Sequence, residues 1–200
     1  MISEGSVDEI PTRGWAINSL ISEMFDDRTI VVSGELGLMA SADVVAQLLL
    51  LSATDPDRGI KLYIDSASGS LSAGFAICDT INYVRPEVST WAIGAVGSVA
   101  TLILCSGTIG RRYALPGSDI VLRQPGRDEG LGGEPAKLPT AAYHRWIDEM
   151  VQLLSEQTGQ RPSTIARDLR NGHRLSAANS VAYGIVDQVM ASGKYAPQGN

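Results

Sequence analysis

Ser98 stands alone at a bend in Gly94-Ala95-Val96-Gly97-Ser98-Val99-Ala100-Thr101-Leu102-Ile103-Leu104. The apolar run over 88–93 leads in and reads as a buried strand, and Val99, Leu102 and Ile103 follow at helical spacing. Glycines permit a tight strand-to-helix turn that pushes a serine hydroxyl into the open, the layout of a nucleophile elbow. The helix behind it would aim free N–H groups and its dipole at a developing negative charge. The chemistry on offer is attack by a hydroxyl on an acyl carbon. Serine is also a common N-cap of a buried helix, so spacing alone leaves both readings open.

A second small-residue stretch, Ser66-Ala67-Ser68-Gly69-Ser70, links a strand over 60–65 to a helix over 72–83. Such a loop can turn backbone N–H groups toward a ligand oxygen; it is equally an ordinary strand–helix connection.

The elements that must position these stretches follow from periodicity. A helical pattern runs over 15–24 and a β-branched strand over 29–32. Ser41 is placed to cap a helix that stops before Asp55-Pro56. A short strand is expected over 119–122. The run 126–139 is rich in Gly, Pro and polar residues and reads as an exposed loop. A helix over 141–157 carries Trp146, Met150, Leu153 and Leu154 along one face. Pro162 opens a short helix to Arg170. Ser176 caps a last helix closed by Gly184, before a final strand over 185–189. Strands thus alternate with helices, which argues for an α/β fold with largely parallel strands.

Composition bounds the rest. Two hundred residues suffice for one domain with a real core. A net charge of −6 without a basic block argues against a nucleic-acid partner. Cys78 and Cys105 lie in apolar runs and read as buried thiols. Two histidines, His144 and His173, without a Cys or carboxylate cluster suggest no metal site, and no cofactor is expected. The polar, acidic first 13 residues read as a flexible arm, not a secretion signal. No run reaches membrane-spanning length, so the expected compartment is the cytoplasm.

Five stretches resemble the proteolytic subunit of the ATP-dependent Clp protease, a serine peptidase family. They are Leu62-Tyr63-Ile64-Asp65-Ser66 with Gly69, Ala73 and Gly74; Cys78-Asp79-Thr80-Ile81; Gly94 with Ser98; Gln124-Pro125; and Thr158-Gly159-Gln160 with Leu175-Ser176-Ala177 and Tyr183-Gly184-Ile185-Val186-Asp187. The resemblance covers nearly the whole chain. It implies an α/β fold of repeated ββα (strand–strand–helix) units, shared with crotonase-like hydratases, and a protruding helical handle at about 126–158. It also implies heptameric rings stacked through the handles, a docked AAA+ unfoldase, and peptide hydrolysis by a Ser-His-Asp triad.

Carried over by position, the nucleophile is Ser98, and the oxyanion donors are the backbone N–H groups of Gly69 and Val99. The histidine position holds Arg123 and the aspartate position holds Gly172, so the triad is degenerate. A serine attacks well only if a base takes its proton. A guanidinium stays protonated and has no acceptor lone pair, and glycine has no side chain with which to orient an imidazole. Loss of triad members lowers turnover by roughly 10⁴–10⁶-fold. His173, beside the vacated acid position, is a possible substitute base, and His144 on the handle helix a weaker one. The family's Ser-Pro-Gly-Gly loop reads here as Ser66-Ala67-Ser68-Gly69. Pro135, Pro139 and several charges in 126–139 disfavour the strand that pairs two rings in the family.

The expectation is a non-catalytic or strongly impaired Clp-type subunit. It would act in a homo-oligomeric heptameric ring or in a mixed ring with a full-triad subunit, with no nucleic acid or membrane partner. The alternative is an active peptidase with an altered dyad or one activated by a partner subunit. A third class, thioester chemistry of the hydratase-like fold, lacks any coenzyme A signal.

Overall fold

The computed structural model describes residues 22–126 and 140–190. The arm over 1–13, most of the 15–24 pattern and the loop 127–139 lie outside the described residues.

The chain winds through four turns of strand, short second strand and helix. The first strands are β1 (Thr29–Ser33), β2 (Ile60–Ser66), the first half of β3 (Val88–Gly97) and β4 (Arg112–Ala114). They lie side by side in that order and in parallel, with β7 (Gln188–Val189) added beyond β4. The second pieces are shorter. Leu36 and Gly69 form a parallel bridge after β1 and β2, and residues 95–97 of β3 pair in parallel with β5 (Asp119–Leu122). Strand β6 (His173–Ser176) closes this second row antiparallel to β5. Each turn then runs into a helix: α1 (Leu38–Thr54), α2 (Leu71–Tyr83), α3 (Val99–Cys105) and α4 (Thr140–Thr158). Helices α5 (Pro162–Asn171) and α6 (Ala177–Tyr183) flank β6. This mixed α/β architecture is the repeated strand–strand–helix arrangement expected from the sequence.

The core follows from alternation on the strands. Ile30 and Val32, then Leu62 and Ile64, point inward at period two and are buried. All seven residues of α3 are buried, so the helix behind Ser98 is the centre of the packing. Helix α4 buries Tyr143, Ile147, Met150, Val151 and Leu154, a stripe at helical spacing.

Several boundaries differ from the expected ones. Ser41 lies inside α1, where its hydroxyl donates to the Leu38 carbonyl; Gly37 holds the cap position. Ser70 caps α2 by accepting from the Ala73 N–H at 3.2 Å. Strand β3 runs through Gly94 to Gly97 instead of ending at Ile93. The final strand shrinks to Gln188–Val189, because the Ile185 and Val186 N–H groups turn back to the Ser180 carbonyl and finish α6. Ser176 and Gly184 take their expected capping places on α6. Strands β4 and β6 have no counterpart in the periodicity.

Candidate functional site

Strand β3 shifts neighbours to reach the site. Thr90, Trp91 and Ala92 pair with β4, whereas Ala95, Val96 and Gly97 pair with β5. The register against β2 jumps between Ile64, opposite Ala92, and Ser66, opposite Val96. Two extra β3 residues bulge there, at Ile93 to Ala95. Gly94 takes φ +65°, and a Cβ on it would meet Asp65 Oδ1 at 2.5 Å. The Asp65 carboxylate instead accepts from the Ala95 N–H at 3.0 Å. The bulge carries the end of β3 across to β5 and delivers Ser98 at the start of α3.

Ser98 has φ 54° and ψ −128°, a positive-φ conformation outside the regions open to L side chains. Its hydroxyl makes no capping bond to α3, so the N-cap alternative does not describe its side chain. Contrary to the elbow layout, the turn does not hold the hydroxyl in the open: the residue is fully buried, and Oγ has no hydrogen-bond partner among the described residues. A buried polar atom without a partner is uncommon and asks for a ligand or a role.

The loop over 66–70 lies against this turn. The Leu36 N–H donates to the Ser68 carbonyl at 3.0 Å, and the Ser70 N–H donates to the Leu36 carbonyl at 2.9 Å. In such a parallel bridge the residue between, Gly69, turns its own N–H away from Leu36. A Cβ on Gly69 would stand 2.5 Å from Leu36 Cβ and 2.9 Å from Val99 Cγ2. Gly69 and Val99, the two expected backbone donors, are therefore neighbours. A Cβ on Gly74 of α2 would lie 2.7 Å from Val99 Cβ; a glycine there lets α2 pack closely on the start of α3.

Arg123 follows β5. Its Nη2 donates to the Ala67 carbonyl at 3.3 Å, so the guanidinium reaches over to the Gly69 loop and not to Ser98. The antiparallel ladder ends with Leu122 paired with His173, so Arg123 and Gly172 each lie just beyond its last pair. Gly172 is the left-handed C-cap of α5, with φ 67°. Its N–H donates to the Asp168 carbonyl, and nothing lies within 4 Å of where a Cβ would be.

His173 is exposed, with its ring 5.9 Å from that of Tyr183. Tyr183 donates to Asp168 Oδ2 at 2.8 Å, and Arg167 Nε to Oδ1 at 2.9 Å. Burial pushes the Asp168 carboxyl up, but the hydrogen bonds from Arg167 and Tyr183 outweigh it and leave it lowered. Burial, then the bond to Asp168, pushes the Tyr183 phenol up. His144 is exposed on α4 beside Tyr143. Neither histidine hydrogen-bonds to Ser98.

An open trough of about 260 Å³ lies beside Arg123, walled by Ala67, Ala95 to Gly97, Asp119, Val121 and Arg174. Arg174 and Asp119 are paired across β5 and β6. Asp65, Asp119 and Arg174 escaped the sequence reading. Their signal was faint: single charges at exposed positions of short strands.

Cys78 and Cys105 are buried free thiols, as expected, and burial pushes both up to about 12. Among the described residues no group of three or more His, Cys, Asp or Glu could hold a metal ion, and no helix is long and apolar enough to cross a membrane. Compared with protein-family models, residues 12–193 match Clp protease.

Proposed function

The chain belongs to the Clp protease family, and from that premise we propose that it is a Clp-type subunit lacking peptidase activity of its own, working within a ring assembly. One observation carries the reading: among the described residues the Ser98 hydroxyl has no hydrogen-bond partner to take its proton.

Attack on a peptide carbonyl needs that proton removed as the C–O bond forms, and returned to the leaving amine as the tetrahedral intermediate collapses. Arg123 can do neither step, being a donor only. It also bonds the Ala67 carbonyl, on the loop that precedes Gly69. Gly172 gives no carboxylate. What persists is the passive part of the machinery, the backbone donors of Gly69 and Val99 and the strained turn. These position and bind, and without a base they turn over a peptide about 10⁴-fold or more slowly than an intact triad.

Clp proteolytic subunits form rings that work with unfoldases, and the ring is the setting proposed here. Mixing with a full-triad subunit is the arrangement in which an inactive copy has a use. The retained serine favours one other reading, activation by a partner subunit that supplies the base.

The restoring experiment uses Arg123→His with Gly172→Asp. Gly172 has open space around it, and aspartate tolerates the left-handed region better than most residues. The double variant should hydrolyse a fluorogenic peptide at least about 100-fold faster than the wild-type chain, with each single variant far below it. A folded, assembled double variant as slow as wild type overturns the reading that the altered positions are what disable the site.

A further inference from the structure

We propose that the trough beside Arg123 binds the C-terminal carboxylate of a short peptide. The inference rests on the non-hydrolysing reading above, since a site that cut its ligand would not retain it.

Charge is the first observation. Two guanidiniums, Arg123 and Arg174, and one carboxylate, Asp119, line the trough. Asp119 is already taken by Arg174. Among the described residues Arg123 has no acidic partner; its one acceptor is the neutral Ala67 carbonyl at 3.3 Å. The lining therefore carries one uncompensated positive charge, held by a long bond that is easily exchanged. A carboxylate can accept two parallel N–H bonds from the guanidinium fork, and charge-assisted bonds are about twice as strong as neutral ones.

Shape is the second. The remaining walls are Ala67, Ala95, Val96, Gly97 and Val121, small and apolar, around about 260 Å³. That room suits one small side chain with its main-chain atoms. A chain terminus offers the carboxylate and an apolar side chain on the same carbon, which matches a cation set among small apolar walls. An aspartate or glutamate within a chain offers the carboxylate without that neighbour.

The position in a reaction sequence follows. Peptide hydrolysis creates a new C-terminal carboxylate at each cut. The reaction that supplies this ligand is hydrolysis by another subunit, and the altered triad position becomes a receptor for products.

The test titrates the full-length protein with N-acetyl-Ala-Ala-Val as free acid or C-terminal amide, and with N-acetyl-Ala-Asp-Ala amide, by ligand-observed NMR. The free acid should bind at least about tenfold more tightly than either amide. Arg123→Gln should remove that preference, and Arg123→Lys, which keeps the charge without the fork, should keep part of it. Should Arg123→Gln fail to fold, the acid–amide comparison on the native chain decides alone. Equal affinities, no binding of the acid, or equal binding of the internal aspartate overturns the proposal. Mass analysis of the recovered peptide is read separately: cleavage overturns the non-hydrolysing reading and this inference with it, whereas an intact, unbound peptide overturns this inference only.

Discussion

At Ser98 local conformation and chemistry are in tension. A non-glycine residue at φ 54° and ψ −128° costs on the order of 1–3 kcal/mol and persists only where surrounding structure enforces it. Buried α3 and the β3–β5 pairing do so here. In an active peptidase that strain presents a nucleophile. Here, among the described residues, the hydroxyl has no hydrogen-bond partner. Ser98→Gly should therefore be more stable than Ser98→Ala by about 1 kcal/mol, because both lose the hydroxyl but only glycine relieves the backbone. Urea unfolding of the two variants measures the difference. An alanine variant as stable as the glycine one would mean that the turn is not strained.

Legibility at this scale was uneven. The bend at Ser98 could be found because glycines and apolar runs bracket it. The direction of Arg123 could not, since a long side chain chooses among acceptors that only the fold brings near, here the Ala67 carbonyl. Gly94 was read as part of the turn. It is a bulge glycine instead, because its partner Asp65 arrives from another strand.

Among elements, the weak signals belong to the short strands. Strands β4 and β6 are three and four residues long and carry Arg or His, so neither a period nor a β-branched run marks them. Yet β6 pairs with β5 up to the residues next to Arg123 and Gly172. The long, strongly periodic helices α4 and α5 were legible to within about two residues. Strand β4 is held by a largely buried ion pair as well as by buried Ala114 and the Tyr113–Trp91 ring contact. Arg112 and Asp187 are 6% and 18% exposed and are joined at 2.6 and 3.1 Å, with a further Arg112 bond to the Gln157 carbonyl at 3.0 Å. The pair ties β4 to the end of α4 and to the chain entering β7. Burial pushes the Asp187 carboxyl up, but the Arg112 hydrogen bonds and charge outweigh it, and it titrates below the ordinary value. A carboxyl depressed in the folded state stabilises fully above its unfolded pKa of about 4, and that stability is lost as pH falls through the folded value. Arg112→Met should cost about 2 kcal/mol at pH 7 by leaving a partly buried carboxylate with only the backbone N–H of residue 112 among these donors. It should also flatten the loss of stability below about pH 4, Asp168 retaining a share. Unfolding midpoints across pH 2.5–7 measure both; a variant that keeps the wild-type acid slope contradicts the assignment.

For the whole molecule, the family match from 12 to 193 and the four strand–strand–helix turns describe a proteolytic-subunit scaffold kept intact. The proposed loss of activity rests on two positions outside the core, Arg123 and Gly172, which lie just beyond the last β5–β6 pair. That separation is why the fold was readable in the sequence, through many consistent apolar positions, while the state of the site turned on two residues. The central claim is that Ser98 is not activated. Fluorophosphonate reagents couple to a serine whose proton a base removes, so the most direct measurement is intact mass of the purified protein after such treatment, with Ser98→Ala as control. The account predicts no adduct on the folded wild-type chain. A stoichiometric adduct that disappears in Ser98→Ala would contradict it and return the protein to the active peptidases.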